Sequence, residues 1–194
     1  MNFLAHAYLS FNDPEVLVGN MISDFVKGRK RLDYPEMIQH GIMLHREIDT
    51  FTDEHPVTKE AKKVFSPAVG LYGGAFMDVV YDHFLALDAS QHSEQEWQLF
   101  AQKVYNTLQQ HYDVLPEKFA GMLPYMKEHD WLYNYRFRQG IENSFRGLTH
   151  RAKYLSDSKP VFRIFEQEYA YLQDCYNRFF PFVKNHAYAQ FKNF

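Results

Sequence analysis

The sequence predicts an all-α protein, a single-domain helical bundle over residues 1–194. Apolar residues recur at three- and four-residue spacing in segment after segment, which is the period of a helix with one buried face. Capping residues and prolines stand where such segments begin. Alternating patterns bounded by turn pairs, the mark of strands, are absent, as are internal repeats, low-complexity tracts and Gly/Ser linkers.

Asn12-Asp13-Pro14 reads as a helix start, a capping side chain followed by Pro at the first helical position. Pro35 opens a second helix, with Ile38, Gly41, Ile42 and Ile48 on one face, and Asp53-Glu54-His55-Pro56 reads as its stop, because a residue before Pro is pushed out of helical geometry. A third helix follows Gly73-Gly74 and runs from about Phe76 to Leu87. Three later stripes are Trp97/Phe100/Val104/Leu108, Phe119/Leu123/Met126 and Ile141/Phe145/Leu148. Ser158-Lys159-Pro160 begins one long last helix with Val161, Phe165, Leu172, Cys175 and Phe179 inward. The expectation is a bundle of about seven or eight helices.

Composition narrows the function classes. With 46% hydrophobic and 23% charged residues the chain is neither disordered nor collagen-like. The aromatic share is 18%, with 18 Phe and 14 Tyr, so the core is rich in rings and many Tyr hydroxyls need partners. A net charge of −3 points to neither nucleic acid nor an anionic membrane as partner; the exception is the local basic run Lys27-Gly28-Arg29-Lys30-Arg31. Cys175 is the single cysteine, which excludes an intrachain disulfide and agrees with a reducing compartment. No apolar run approaches the roughly 20 residues that span a bilayer, and Met1-Asn2-Phe3-Leu4-Ala5-His6 does not read as a signal peptide. The expected location is the cytoplasm.

Chemistry is expected where polar groups break apolar faces. On the helix after Pro35, His45 and Asp49 stand one turn apart among Ile38, Ile42 and Ile48. Asp78 and Asp82 repeat that spacing, and His83 follows directly. Asp24 sits in the apolar stretch from Gly19 to Val26, and His6 in the apolar N-terminal segment. Buried without partners, such groups cost several kcal/mol; they require one another, a hydrogen-bonded network or a metal. Carboxylates with imidazoles suit Mn²⁺, Fe²⁺ or Zn²⁺.

Several of these segments resemble the bacterial acyl carrier protein phosphodiesterases: Asn2-Phe3-Leu4-Ala5-His6, Gly19-Asn20 with Asp24-Phe25-Val26-Lys27-Gly28, and Gly41-Ile42 with Leu44-His45-Arg46, Ile48-Asp49, Thr52-Asp53 and Pro56. Asp78-Val79 with Asp82-His83-Phe84-Leu85 is similar too, and Trp131-Leu132, Tyr135-Arg136 and Gly147-Leu148 form a weaker late signature. Where that family often carries paired arginines after the late glycine, this chain has Thr149-His150-Arg151. The resemblance implies a distorted relative of the HD-domain phosphohydrolase fold. It implies hydrolysis of the phosphodiester joining 4′-phosphopantetheine to a serine of holo-acyl carrier protein, with Mn²⁺ as the metal. On that reading Asp24, His45, Asp82 and His83 are the expected metal ligands, with Asp49 or Asp78 orienting a ligand or the water and Arg46 binding phosphate. Lys27, Arg29, Lys30 and Arg31 would meet the acidic carrier protein. The competing readings are an HD-like phosphohydrolase of nucleotides or other small phosphodiesters, a di-iron bundle, and a non-catalytic binding module. The di-iron reading is weakened by the lack of paired Glu-x-x-His motifs.

Overall fold

The computed structural model describes residues 1–194 and contains α-helices and short 3₁₀ turns, with no strand. Helix α1 is Phe3–Tyr8 and α2 is Pro14–Ile22. Asp13 caps α2, accepting from the backbone N–H groups of Glu15 (3.0 Å) and Val16 (2.9 Å), as the Asn12-Asp13-Pro14 signal predicts. Two 3₁₀ turns, Ser23–Phe25 and Gly28–Asp33, lead to α3, Glu36–Glu54, which ends at extended His55 before Pro56.

Between α3 and the third expected helix the chain is more broken than its periodicity suggests. It forms α4 (Pro56–Ala61), a 3₁₀ turn, α5 (Ser66–Val69) and a second 3₁₀ turn before α6 (Gly73–Leu87). Gly70 at φ 55° makes the break that a side chain would resist. Within Pro56–Leu87 an 18-residue window reaches a mean hydropathy of 1.2, enough by length and composition alone to cross a membrane. The bend at Gly70 divides Pro56–Leu87, and Phe76, Met77, Val80 and Phe84 of α6 are buried in the core.

The remaining helices are α7 (Glu94–Gln110), α8 (Glu117–Glu128), α9 (Trp131–Asn134), α10 (Arg138–Arg151), α11 (Lys159–Gln167) and α12 (Tyr169–Phe191). A reciprocal capping box of Ser93 and Glu96 opens α7. The single long C-terminal helix expected from sequence is two helices that part at Glu168 (φ −98°, ψ 15°), where neither Gly nor Pro marks the break.

One cluster of 50 buried apolar residues joins all these elements, so the chain has one core. Rings pack against one another within it: Phe76 and Phe145 meet edge to face at 4.9 Å, and Tyr81 stacks on Phe179 at 4.7 Å. Three of the four buried tyrosines find partners for their hydroxyls. Tyr81 bonds Thr58, Tyr105 accepts from the N–H of Leu132, and Tyr176 donates to Asp88.

Helices α2 and α3 pack backbone to backbone, and this contact positions the functional groups. A Cβ on Gly19 would run into the carbonyl oxygen of Ile38, and one on Gly41 into that of Val16. Only hydrogen at both positions lets the helices approach this closely. The residue after Gly19 is Asn20, which is thereby set against His45 of α3.

Candidate metal centre

Three ligand-type side chains converge beside that contact: His6 of α1 and His45 and Asp49 of α3. Their ligand atoms all lie within 4.8 Å of one another. The two imidazoles stack with centroids 3.8 Å apart and planes 12° from parallel.

Asn20 fixes both rings. Its side-chain N–H₂ donates to the His6 carbonyl (2.8 Å) and to Ser10 Oγ (3.1 Å), so its Oδ1 is the end that meets His6 Nδ1 at 2.8 Å. Its backbone carbonyl accepts from His45 Nδ1 at 2.7 Å. Both histidines therefore carry a proton on Nδ1 and turn Nε2 toward the carboxylates. His6 Nε2 lies 3.1 Å from Asp49 Oδ1; His45 Nε2 lies 3.1 Å from Asp49 Oδ2 and 3.3 Å from Asp24 Oδ1.

His45 Nε2 is aligned with neither carboxylate well enough to bond and is a buried nitrogen without a hydrogen-bond partner. A lone pair facing carboxylate oxygens is repulsive unless a cation or a proton lies between them. Without a metal a proton serves. Burial opposes charge on His45, but the carboxylates of Asp24 and Asp49 outweigh it and take its pKa up to about 9. Burial, and then the charge on His45, push His6 down to about 4. Burial likewise acts against the Asp49 carboxylate, yet the imidazoles and the Met1 ammonium hold it far below its usual range. Orphaned nitrogen, shared carboxylate and Nδ1 anchors together fit a divalent cation, and His-plus-carboxylate donors held by an outer shell are the usual arrangement.

His6 and His45 are buried, whereas the Asp49 side chain is 41% exposed and that of Asp24 74%. The centre thus opens to solvent on its carboxylate side, with Asp24 at the mouth. His45 holds Asp24 below the ordinary carboxylate range. Arg46, next to His45, donates to the carbonyl of Val26 at 3.1 Å and ties α3 to the segment that carries Asp24. The basic run follows at once: Lys27, Arg29 and Lys30 are exposed and Arg31 half-buried, mostly in the Gly28–Asp33 turn beside that mouth.

The second expected cluster on α6 is used differently. Asp82 lies buried beneath α1 and accepts from the backbone N–H groups of Asn2 (3.2 Å), Leu4 (2.7 Å) and Ala5 (3.3 Å). It caps the α1 N-terminus, which holds His6 in place. His83 donates from Nδ1 to the Tyr135 carbonyl (2.7 Å), and its Nε2 accepts from the Tyr169 hydroxyl (2.9 Å), so both ring nitrogens are occupied. Asp78 binds the Met1 ammonium at 2.9 Å, and that ammonium also meets Asp49 at 3.4 Å. The structure brings Asp24, His45 and Asp49 together with His6 and places Asp82 and His83, two of the four expected ligands, outside that group. The i, i+4 repeat misled because a helix faces two layers, and α6 turns Asp82 toward a helix end rather than toward His45.

Comparison with known proteins identifies the family. Residues 1–183 match the family described as acyl carrier protein phosphodiesterase. The chain belongs to that family. An acyl carrier protein phosphodiesterase from Yersinia pestis is 32% identical over 192 residues, 96% of this chain and 97% of the relative. One from Photorhabdus laumondii is 29% identical over 188 residues, 96% and 95% of the two chains. One from Escherichia coli O157:H7 is 31% identical over 185 residues, 93% and 94%. No solved structure matches.

Two contributors to the centre of this phosphodiesterase family member had only weak signals in the sequence. His6 was visible as a lone histidine in an apolar segment, and Asn20 only as the neighbour of a glycine. A polar amide following a helix-contact glycine, with two histidines to anchor, is the signal that would have found it.

Proposed function

We propose that this protein hydrolyses the phosphodiester between 4′-phosphopantetheine and the serine of holo-acyl carrier protein, releasing 4′-phosphopantetheine and the apo-carrier. Water adds to phosphorus, the bond to the serine oxygen breaks, and that oxygen leaves with a proton. The carrying observation is the centre of His6, His45 and Asp49, both imidazoles tethered by Asn20 and Nε2 of His45 left without a hydrogen-bond partner. His6, His45 and Asp49 would hold a divalent metal, with Asp24 at the edge, and Mn²⁺ is our choice among the hard-to-borderline ions. When bound, the cation offsets phosphate charge and lowers the pKa of water.

The chain's own groups supply the rest. Asn20 keeps both imidazoles in the tautomer that offers Nε2. Asp78 holds the Met1 ammonium against Asp49, which sets the carboxylate that faces both rings. Arg46 retains further N–H donors beyond its bond to Val26, and these bind phosphate oxygen. Lys27, Arg29, Lys30 and Arg31 at the mouth meet the acidic carrier. The His/Asp centre between packed helices is in keeping with a distorted relative of the HD phosphohydrolases. A cytoplasmic protein with one buried free thiol, Cys175, is consistent with this reading.

The test is purified protein with holo-carrier protein and Mn²⁺, followed by intact mass, with a nucleotide panel alongside. Release of phosphopantetheine that chelation abolishes and Mn²⁺ restores is expected. In the same assay His6→Ala and His45→Ala should lose bound metal and turnover, whereas His83→Gln should keep its metal. Full turnover after exhaustive chelation would refute the metal centre, and cleavage of nucleotides alone would refute the substrate.

A further inference from the structure

A cavity of about 620 Å³, within the roughly 300–1,000 Å³ typical of small-molecule sites, opens at the start of α1, next to the Met1 ammonium that touches Asp49. Two features place it there. Asn2 and Phe3 line it, and they directly follow Met1, whose ammonium touches Asp49 of the centre. Val79 also lines it and is the neighbour of Asp78, the other partner of that ammonium. An aromatic wall continues from one to the other: Phe25, adjacent to Asp24, meets Phe119 at 5.4 Å, Phe119 meets Phe3 at 6.5 Å, and Phe3 meets Trp131 of the cavity at 6.5 Å.

The floor is a single face of α10. Gly140, Asn143, Ser144, Gly147, Leu148 and Arg151 follow three- and four-residue spacing and all line the cavity, while Ile141, Phe145 and Thr149 turn into the core. Apart from Leu148, which packs on the core, this face carries only glycine or polar side chains where a packing face would be apolar. Beyond its chain neighbours and its own helix backbone, nothing lies within 4 Å of where a Cβ on Gly147 would sit, so the space above it is open.

We infer that this cavity takes the pantetheine arm of the substrate, the phosphate lying at the His/Asp centre and the arm running over the α10 face. This rests on the proposed function. The chemistry matches an arm that alternates amides and a hydroxyl with short aliphatic stretches. Only 5 of the 15 lining residues are hydrophobic, which suits amide groups better than a bare hydrocarbon. Asn2, Asn134, Asn143 and Ser144 supply donors and acceptors, and Phe3 and Trp131 supply apolar walls.

Gly147→Phe sets a ring on the cavity-lining face at a position where a Cβ meets no neighbouring element, and Gly121→Phe is the matched control, because a Cβ on Gly121 is equally free on α8 and Gly121 does not line the cavity. Two quantities are read: kcat/KM for holo-carrier protein relative to bis(4-nitrophenyl) phosphate, and inhibition of the small diester's cleavage by free 4′-phosphopantetheine. Gly147→Phe should lower the first ratio and raise the inhibition constant, each by about tenfold or more; Gly121→Phe should change neither. If Gly147→Phe loses helicity, Asn143→Leu on the same exposed face carries the same expectation. Unchanged ratio and unchanged inhibition in Gly147→Phe would overturn the cavity assignment alone. A wild type that phosphopantetheine inhibits through Gly147 but that never releases it from the carrier would overturn the functional reading and keep the cavity.

Discussion

Replacing Asn20 by alanine tests whether one amide governs both imidazoles. The Asn20 side chain is fully buried and makes three bonds: to His6 Nδ1 (2.8 Å), the His6 carbonyl (2.8 Å) and Ser10 Oγ (3.1 Å). The His6 carbonyl keeps a second donor, Ser10 Oγ at 2.8 Å, so the one group stranded by the change is His6 Nδ1–H. A stranded buried donor costs about 1–3 kcal/mol, and the lost bonds and small void add about 1 kcal/mol. Urea denaturation of the metal-free protein should therefore show a loss of about 2–4 kcal/mol. Calorimetric titration with Mn²⁺ should show affinity lower by about 10- to 100-fold, the usual effect of removing an outer-shell partner. His45 should keep its orientation, because it leans on the Asn20 backbone carbonyl, which alanine retains. Asn20→Asp separates the two effects: it restores an acceptor for His6 and should recover part of the metal affinity, but it lacks the N–H₂ donors and should not recover the stability. A Mn²⁺ affinity within about twofold of wild type in Asn20→Ala would refute the assignment of His6 as a ligand held by Asn20.

Three other perturbations follow from the same geometry. Gly41→Ala sets a methyl against the Val16 carbonyl and within 2.9 Å of the Asn20 nitrogen, so it should cost about 1–3 kcal/mol or more and lower the melting temperature, whereas Gly121→Ala, in open helix, should be neutral or stabilising; an unaffected Gly41→Ala would contradict the close α2–α3 contact. Burial holds His83 neutral, its pKa pushed down to about 4, so the unfolded chain takes up a proton below about 6.5 that the native one refuses. Its contribution, about 3 kcal/mol, is present above pH 6.5 and lost as pH falls to about 4. Burial raises Asp82 to about 7, which acts in the opposite sense across that window, so the check is the pH dependence of wild-type stability minus that of His83→Gln, and a flat difference would refute it. Neutralising Arg29, Lys30 and Arg31 should reduce kcat/KM for the carrier by about tenfold at low salt, less at high salt, with small-diester cleavage unchanged; equal losses on both substrates would rule out docking.

The helical class, the start of α2 at Asp13-Pro14, the stop of α3 before Pro56 and the placing of His45 and Asp49 one turn apart are legible in the residues alone. These are local properties: a cap, a ring that forbids helix, and a 3.6-residue period act within one or two turns. The sequence also exposes the polar groups that break apolar faces, because burial makes each of them costly alone. Which of those groups meet was decided by tertiary structure alone. His6 and His45 stand 39 positions apart by their numbers, and they stack because Gly19 and Gly41 let α2 and α3 touch and Asp82 pins the start of α1. The same α6 periodicity that offered Asp82 and His83 as ligands gives the direction of each side chain from its own axis but not the helix that lies opposite. One faces the backbone of α1, the other the Tyr135 carbonyl and Tyr169 hydroxyl. The break at Glu168, which places the Tyr169 hydroxyl on His83, likewise has no local mark and is fixed by what α11 and α12 pack against.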